Sequence, residues 1–227
     1  QLAMSNQEIV QLKPLELLKW DKSVAEKAFN HLYIAQQVEH VLDAPFEKRL
    51  KLIELAHDSK ALVQKMPDQE VWMTIEQLGG HDGMELFKQT NAQQVQFILD
   101  VDVWRQGRWN GPALYEWIGL LSLCGEAKIK QFFEETDIQL IGLMLKRWVC
   151  VYLRQDKEED VTQVIPWPRQ EAPITLDGIL YFQVADEKID QWLRPFLISF
   201  GKQNHKLFSK LLLGVTGTRQ SEQEEDA

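Results

Sequence analysis

The segment LVQKMPDQEVWMTI, residues 62–75, decides the predicted fold because two later segments repeat its pattern. LFKQTNAQQVQFIL, residues 86–99, and FFEETDIQLIGLML, residues 132–145, each show two bulky apolar residues, a polar break with a helix-starting residue, and a new apolar stripe. The starts at 62, 86 and 132 are spaced by 24 and then 46 residues, close to one and two periods. Self-similarity of this size is typical of stacked helical hairpins. The pattern therefore predicts a mainly α fold, a helical-hairpin repeat with the form of a solenoid-like superhelix.

Composition divides the chain into segments around this repeat. Ser23 is expected to cap a long helix that ends at Ala44-Pro45, because a residue before proline leaves the helical region. Asp58, Asn91 and Asp137 are expected N-caps of later helices. The predicted segments are an N-terminal arm (1–22), a helical repeat domain (23–153), a Pro-rich connector (154–173), a β-hairpin with two helices packed on the repeats (174–213), and a disordered acidic tail (214–227).

The dipeptide Asp177-Gly178 predicts one small β-hairpin near the C-terminus. It lies between β-branched and aromatic residues, which is a strong short-range hairpin signal. Gly201 is expected to separate the two helices that follow. An isolated hairpin is marginally stable, so this one should dock on the helices. Its edge either accepts a strand from another chain or is covered within the protein, the hairpin then fastening the last helices to the repeats.

Bulk properties exclude several classes of partner. The 227 residues are 44% apolar and 26% charged, as in ordinary globular proteins. The formal charge is −9 and the longest basic runs are pairs, which disfavours binding to nucleic acid or to anionic membranes. There is no run of about 18 apolar residues, so no membrane insertion is expected. Cys124 and Cys150 are isolated in apolar helical patterns, which favours a reducing, cytoplasmic location. The start at Gln1 rather than Met suggests a fragment or a processed chain.

Two local matches carry a resemblance to a known family. FILDVDVWR (97–105) is followed by ALYEW (113–117), and ITLDGILYF (174–182) lies nearer the C-terminus. With these matches the chain after residue 45 resembles a bacterial family of uncharacterised helical proteins, a domain of unknown function. That resemblance implies a helical fold and no known activity. The Leu-x-x-x-x-Pro-Asp pattern from Leu62 is loosely similar to the cytosolic amino-terminal domain of MgtE-type magnesium transporters and to helical domains of flagellar motor switch proteins, which are superhelices used for regulation and docking.

No catalytic motif is recognisable, so a non-enzymatic role is expected. None of the five histidines forms a zinc-type pair, and neither cysteine has a second ligand nearby. The sequence contains no nucleophile elbow, phosphate loop or dinucleotide fingerprint. We therefore predict no cofactor and no metal site. The possibility that catalytic residues are assembled from distant positions of the sequence is left open.

The segment DVDVWRQGRWNG, residues 100–111, is the candidate binding region. Trp104, Arg105 and Trp109 could anchor a partner peptide, because Trp and Arg dominate interface hot spots, and Trp72 and Trp117 are possible neighbours. Asp100 and Asp102 could instead ligate a hard cation such as Mg²⁺. A third interpretation is structural: the carboxylates cap helix ends or pair with Arg105 and Arg108, and the tryptophans fill gaps between repeats.

These observations favour a protein-interaction or regulatory scaffold domain. A solenoid presents an extended concave surface that suits the docking of a helix or peptide. The alternative is a regulatory domain that senses a divalent cation or a small ligand. The partner is expected to be a protein, and the oligomeric state is left open.

Overall fold

A computed structural model describes residues 13–105 and 108–225, without the side chains of 104, 105, 108, 109 and 217–225. The chain divides into two compact units, residues 1–124 and 125–227. The first unit is helical apart from a short ribbon of two strands. Its elements are α1 (Pro14–Leu17), α2 (Lys22–His31), α3 (Ile34–Leu42), α4 (Phe46–Ile53), α5 (Ser59–Lys65), α6 (Asp68–Leu78), α7 (Gly80–Gln89), α8 (Ala92–Asp102), β1 (Trp104–Arg105), β2 (Arg108–Trp109) and α9 (Gly111–Leu123).

The repeated segments share one type of helix–helix corner. In each copy a helix ends at an extended residue, which is Met66, Thr90 or Thr136. The next helix begins two residues later, and in the second and third copies the side chains of Asn91 and Asp137 cap it, as predicted. The third copy lies in the second unit, so the superhelical stacking of all three copies stays a prediction.

The predicted long helix from Ser23 is wrong in two details. Asp21 is the N-cap, because its side chain accepts a hydrogen bond from the backbone N–H of Ser23 at 3.0 Å. The helix then stops at His31, since Leu32 adopts an extended conformation and Tyr33 begins the next helix. The spacing of the apolar residues in this segment is consistent with one helix or with two. Only the extended conformation of Leu32 shows that there are two.

Buried polar side chains tie the helices of the first unit together. Gln94, which is fully buried, donates to the carbonyl oxygens of Val63 (2.8 Å) and Met66 (3.1 Å) at the C-terminal end of α5. Arg49 donates to Glu70 and Thr74, both at 2.8 Å. These bonds fix the corners, because a buried carbonyl without a donor is costly.

The second unit combines helices with a small sheet. Phe133 contacts Phe196 and Phe200 in its core, with ring centroids 4.9 and 5.9 Å apart. The elements are α10 (Glu126–Glu135), α11 (Ile138–Trp148), β3 (Val149–Leu153), α12 (Val161–Val164), β4 (Ile174–Thr175), β5 (Leu180–Val184), α13 (Glu187–Gln203) and α14 (His205–Glu225).

The predicted hairpin is present, but it belongs to a three-stranded antiparallel sheet with the order β3-β5-β4. Asp177 and Gly178 form the turn, and Thr175 pairs with Tyr181. The third strand, β3, comes from a segment that we expected to be helical, and it pairs Val151 with Phe182. Strand β5 is therefore central, so it has no free edge for another chain.

The connector is fastened to this sheet. Gln183 of β5 is buried; its amide oxygen accepts from Arg169 N at 2.8 Å, and its amide nitrogen donates to the carbonyl oxygen of Glu171 at 2.7 Å. Asp190 on α13 is also buried and pairs with Arg169 (2.8 Å) and Arg194 (3.1 Å). The Pro-rich connector is thus held by a neutral amide and by an ion network.

The last two helices differ from the prediction at both boundaries. Helix α13 continues through Gly201 to Gln203. Gly201 is a packing residue of this helix, since a Cβ atom there would overlap Leu176 and Phe208. Helix α14 continues to Glu225, where a disordered tail was expected from residue 214. The Gln and Glu residues of this segment are good helix formers, which explains the extension.

Among the described residues, no helix has both the length and the apolar content needed to cross a bilayer.

Candidate binding site

The candidate segment 100–111 connects two helices of the first unit. Helix α8 ends at Asp102, the ribbon β1–β2 follows, and Asn110 caps α9 by accepting from Ala113 N at 3.3 Å. The antiparallel register places Trp104 opposite Trp109 and Arg105 opposite Arg108. The side chains of these four residues lie outside the described part of the structure, so the anchoring role predicted for Trp104, Arg105 and Trp109 stays a prediction.

Asp102 is the centre of a buried polar cluster. Its side chain is 4% exposed. The Oδ2 atom accepts hydrogen bonds from Nε1 of Trp72 (3.0 Å) and Nε1 of Trp117 (2.9 Å). The tryptophans belong to α6 and α9, so a single carboxylate joins α6, α8 and α9. The two tryptophans suggested as possible neighbours therefore do lie in this region, and both contact the predicted site residue Asp102.

Asp100 lies apart from Asp102 although only one residue separates them. It is exposed, and its Oδ1 accepts from Nε2 of Gln96 at 3.0 Å. Residues two positions apart on a helix point in different directions. Among the described residues, no group of three or more His, Cys, Asp or Glu side chains could hold a metal ion.

A cavity of about 580 Å³ opens beside the buried aspartate. Helices α6, α7, α8 and α9 all contribute to its wall, and Asn110 extends the wall to the end of the ribbon. The apolar part of the lining includes Ile75, Met84, Ala113, Trp117 and Leu120. Its volume falls within the range of roughly 300–1,000 Å³ that is usual for ligand sites.

The break between α6 and α7 forms one side of this cavity. Gly79 and Gly80 have φ values of +60° and +46°, a left-handed conformation that favours glycine. A Cβ atom added at either residue would meet no described atom within 4 Å. The wall is therefore backbone without side chains at these two residues.

The charged residues of the lining are acidic. Glu76 on α6 and Glu116 on α9 are exposed, whereas Asp102 lies deeper. On α7, outside the lining, Lys88 donates to Glu85 at 2.7 Å, and this hydrogen bond lowers the pKa of Glu85 and raises the pKa of Lys88. The side chain of Lys88 therefore contacts Glu85 on the same helix.

A family model described as "Family of unknown function (DUF6178)" matches residues 26–227. The chain belongs to this family. No curated protein matches the chain, and no solved structure matches it. The similarity to magnesium-transporter and flagellar motor domains therefore has no match to support it.

In this DUF6178 member the sequence indicated part of the site and missed the rest. The segment 100–111 was selected, and Asp102 of that segment lines the cavity. Glu76, Glu116 and the Gly79-Gly80 wall were missed, because they lie on helices whose relative placement no local pattern gives. One signal was available: Glu116 belongs to ALYEW, a match on which the family resemblance was based.

Proposed function

We propose that this DUF6178 chain is a non-enzymatic protein-interaction domain that receives a group of its partner in the cavity of the first unit. One observation carries the proposal: four helices build a cavity of about 580 Å³, and the Trp-Arg ribbon begins and ends next to two residues of its lining, Asp102 and Asn110. Interface hot spots are usually rich in tryptophan and arginine and lie at pockets of this kind.

The buried cluster supports this role. Asp102 is held by two indole N–H groups, so the wall that it shares with Trp117 is fixed before a partner arrives. A site that needs no rearrangement loses less conformational entropy on binding. A cytoplasmic location is part of the same proposal. It is supported by Cys124 and Cys150, which are isolated in the sequence rather than arranged as a disulfide framework.

The alternative, a divalent-cation sensor, has less support. It requires Asp100 and Asp102 to act together, but Asp100 is exposed and Asp102 is buried against two tryptophans. Hard cations take six or more oxygen ligands, or keep waters between a few carboxylates that converge. The two aspartates do not converge, so the geometry favours docking.

Filling the cavity tests the proposal. We expect Ala113→Leu, which adds three carbon atoms to the lining, to abolish capture of the partner by the full chain in a cross-linking affinity experiment. Ala35→Leu is the matched control, since Ala35 is an exposed position on α3 of the same unit. Both variants must melt at the temperature of the unmodified chain before the capture is compared.

A second variant examines the ribbon. Trp104→Ala combined with Arg105→Ala should weaken capture without touching the described cavity lining. A partner that binds the Ala113→Leu variant as well as it binds the unmodified chain would contradict the proposal. So would a chain that captures nothing under conditions in which it is folded.

A further inference from the structure

We infer that the second unit binds a free medium-chain fatty acid in a groove between α11 and α14, with its carboxylate at Lys210. The described lining of this groove shares no residue with the cavity of the proposed function, so the two proposals can fail independently. The inference follows from the apolar lining of the groove, from two glycines that leave it open, and from the lysine at its edge.

The groove has the size and the surface of a site for a short apolar chain. Its volume is about 380 Å³, and Ile138 and Leu143 of α11 and Leu211 of α14 line it. Leu211 is buried, whereas Leu143 is 41% exposed, so the apolar surface continues from the core to the solvent. An apolar cavity of about 150 Å³ holds benzene, which has six carbon atoms. A groove of this volume that is open on one side therefore accommodates a chain of about 8–10 carbon atoms.

Two glycines in the middle of helices keep the groove open. Gly142 of α11 and Gly214 of α14 both belong to the lining. Neither has a positive φ, and a Cβ atom added at either would meet no described atom within 4 Å. Glycine is a poor helix former, and here neither an unusual backbone conformation nor close packing requires it. The observable effect of both glycines is the open space that they leave beside the groove.

Lys210 supplies the charge at the edge of the groove. It is exposed on α14, one turn before Gly214, and no described residue of the lining is Asp or Glu. Among the described residues, no carboxylate pairs with its ammonium group. The lysine therefore attracts an anionic head group and sets the orientation of the ligand, whereas burial of the apolar chain supplies most of the affinity.

The dimensions of the groove favour a single small molecule over a protein helix or a bilayer. A helix that docks in a groove uses anchors at positions i, i+3 or i+4, and i+7, which span two turns. The described lining lies within residues 138–143 of α11 and 210–214 of α14, which is less than two turns of each helix. The formal charge of −9 opposes contact with an anionic bilayer. A free fatty acid brings one negative charge and one apolar chain, and both match the groove.

A pair of nearly isosteric probes tests the inference on the full chain. Octanoate carries the carboxylate, and octanamide replaces it with a neutral amide; both are used below the concentration at which they form micelles. Binding is followed by the backbone N–H signals of Gly142 and Gly214 in ¹H–¹⁵N spectra. We expect octanoate to shift both signals with a dissociation constant on the order of 1 mM, and octanamide to bind about two- to fivefold more weakly. From hexanoate to decanoate the affinity should rise by about fourfold for each added methylene and then level off for longer chains.

Matched variants locate the ligand. Gly142→Leu fills the groove and should abolish the octanoate-dependent shift of Gly214. Gly119→Leu is the control, because Gly119 is also a helical glycine whose added Cβ atom would meet no described atom within 4 Å, but it lies in the first unit. Lys210→Gln should weaken octanoate binding about two- to fivefold and leave octanamide binding unchanged. Lys206→Gln, an exposed lysine of α14 outside the described lining, should leave both unchanged. All variants must melt at a temperature close to that of the unmodified chain.

Several outcomes would overturn the inference. Octanoate binding that persists in Gly142→Leu would place the ligand elsewhere, and equal affinities for octanoate and octanamide would reject the anionic head group. Absence of any shift with the whole series would reject the ligand. Two further measurements examine the other occupants: sedimentation of the chain with anionic phospholipid vesicles would assign the groove to a membrane, and a dimer that Gly142→Leu dissociates would assign it to a second copy of the chain.

Discussion

Replacing Asp102 with alanine should destabilise the first unit more than the change of any exposed carboxylate. The substitution removes the acceptor shared by Trp72 and Trp117 and leaves two indole N–H groups without it. A hydrogen bond to a charged group contributes about 1.5–3 kcal/mol, and a buried donor without an acceptor costs about 1–3 kcal/mol. Because Trp72 is only half-buried, we expect a loss of about 3–5 kcal/mol, a large share of the stability of a typical domain.

Urea unfolding, followed both by far-UV circular dichroism and by tryptophan fluorescence, measures this change in the free energy of unfolding. Two probes are needed because a chain with two compact units need not unfold in one step. A double-mutant cycle with Trp72→Phe isolates one of the two hydrogen bonds, and it should give a coupling energy of about 1–2 kcal/mol.

Asp100→Ala is the matched control for this experiment, since it removes an exposed carboxylate from the same helix. It should change the free energy of unfolding by less than about 0.5 kcal/mol. A cost below about 1 kcal/mol for Asp102→Ala, or additive effects in the cycle with Trp72→Phe, would refute the view that Asp102 joins the three helices.

Three further predictions concern the second unit. Gly201→Ala should destabilise it by about 1–3 kcal/mol, since the new methyl group overlaps packed side chains, and thermal melting measures the loss. Gln183→Ala should release the Pro-rich connector, which trypsin would then cut after Arg169 within minutes rather than hours. Tyr152→Phe should lower the melting temperature at pH 7, because its hydroxyl donates to Glu159 at 2.6 Å; that bond raises the pKa of Tyr152 and lowers the pKa of Glu159.

The sign of the last effect sets its pH range. A carboxylate with a lowered pKa stabilises the fold above its unfolded pKa, and the contribution disappears as the pH falls through the folded value. The difference between Tyr152→Phe and the unmodified chain should therefore be full above the unfolded pKa of a glutamate, about 4.3, and should shrink as the pH falls below it. A difference that persisted there would contradict the assignment to Glu159.

Controls for the other two predictions are available in the same unit. Gly142→Ala, in the middle of α11, adds a methyl group that meets no described atom within 4 Å, so it should stabilise the chain by about 0.5–1 kcal/mol. Equal behaviour of Gly142→Ala and Gly201→Ala would contradict the steric argument. For the connector, Gln163→Ala changes an exposed glutamine and should leave the rate of cleavage unaltered.

Local patterns were sufficient for several features that depend on neighbouring residues. The N-caps at Asp58, Asn91 and Asp137 were predicted and are confirmed, because a cap binds backbone groups within three residues of itself. The Asp177-Gly178 turn is confirmed for the same reason.

Predictions were wrong where the structure of a segment depends on residues that are distant in the sequence. Residues 149–153 have an apolar pattern that suits a buried helix or a strand, and only pairing with β5 makes them a strand. Gln183 is a further case in which burial depends on a distant partner, because its amide contacts the connector.

The same division applies to the candidate site. The sequence by itself determined a mainly helical chain with three of its helix caps and one hairpin, and it selected the segment from Asp100 to Gly111 for its composition. Only the tertiary structure decided that Asp102 turns inward to two indoles while Asp100 stays outside, and that Glu116 and Gly79 line the same cavity. The physical reason is that capping and turn formation are short-range interactions, whereas burial and the lining of a cavity depend on how separate helices pack.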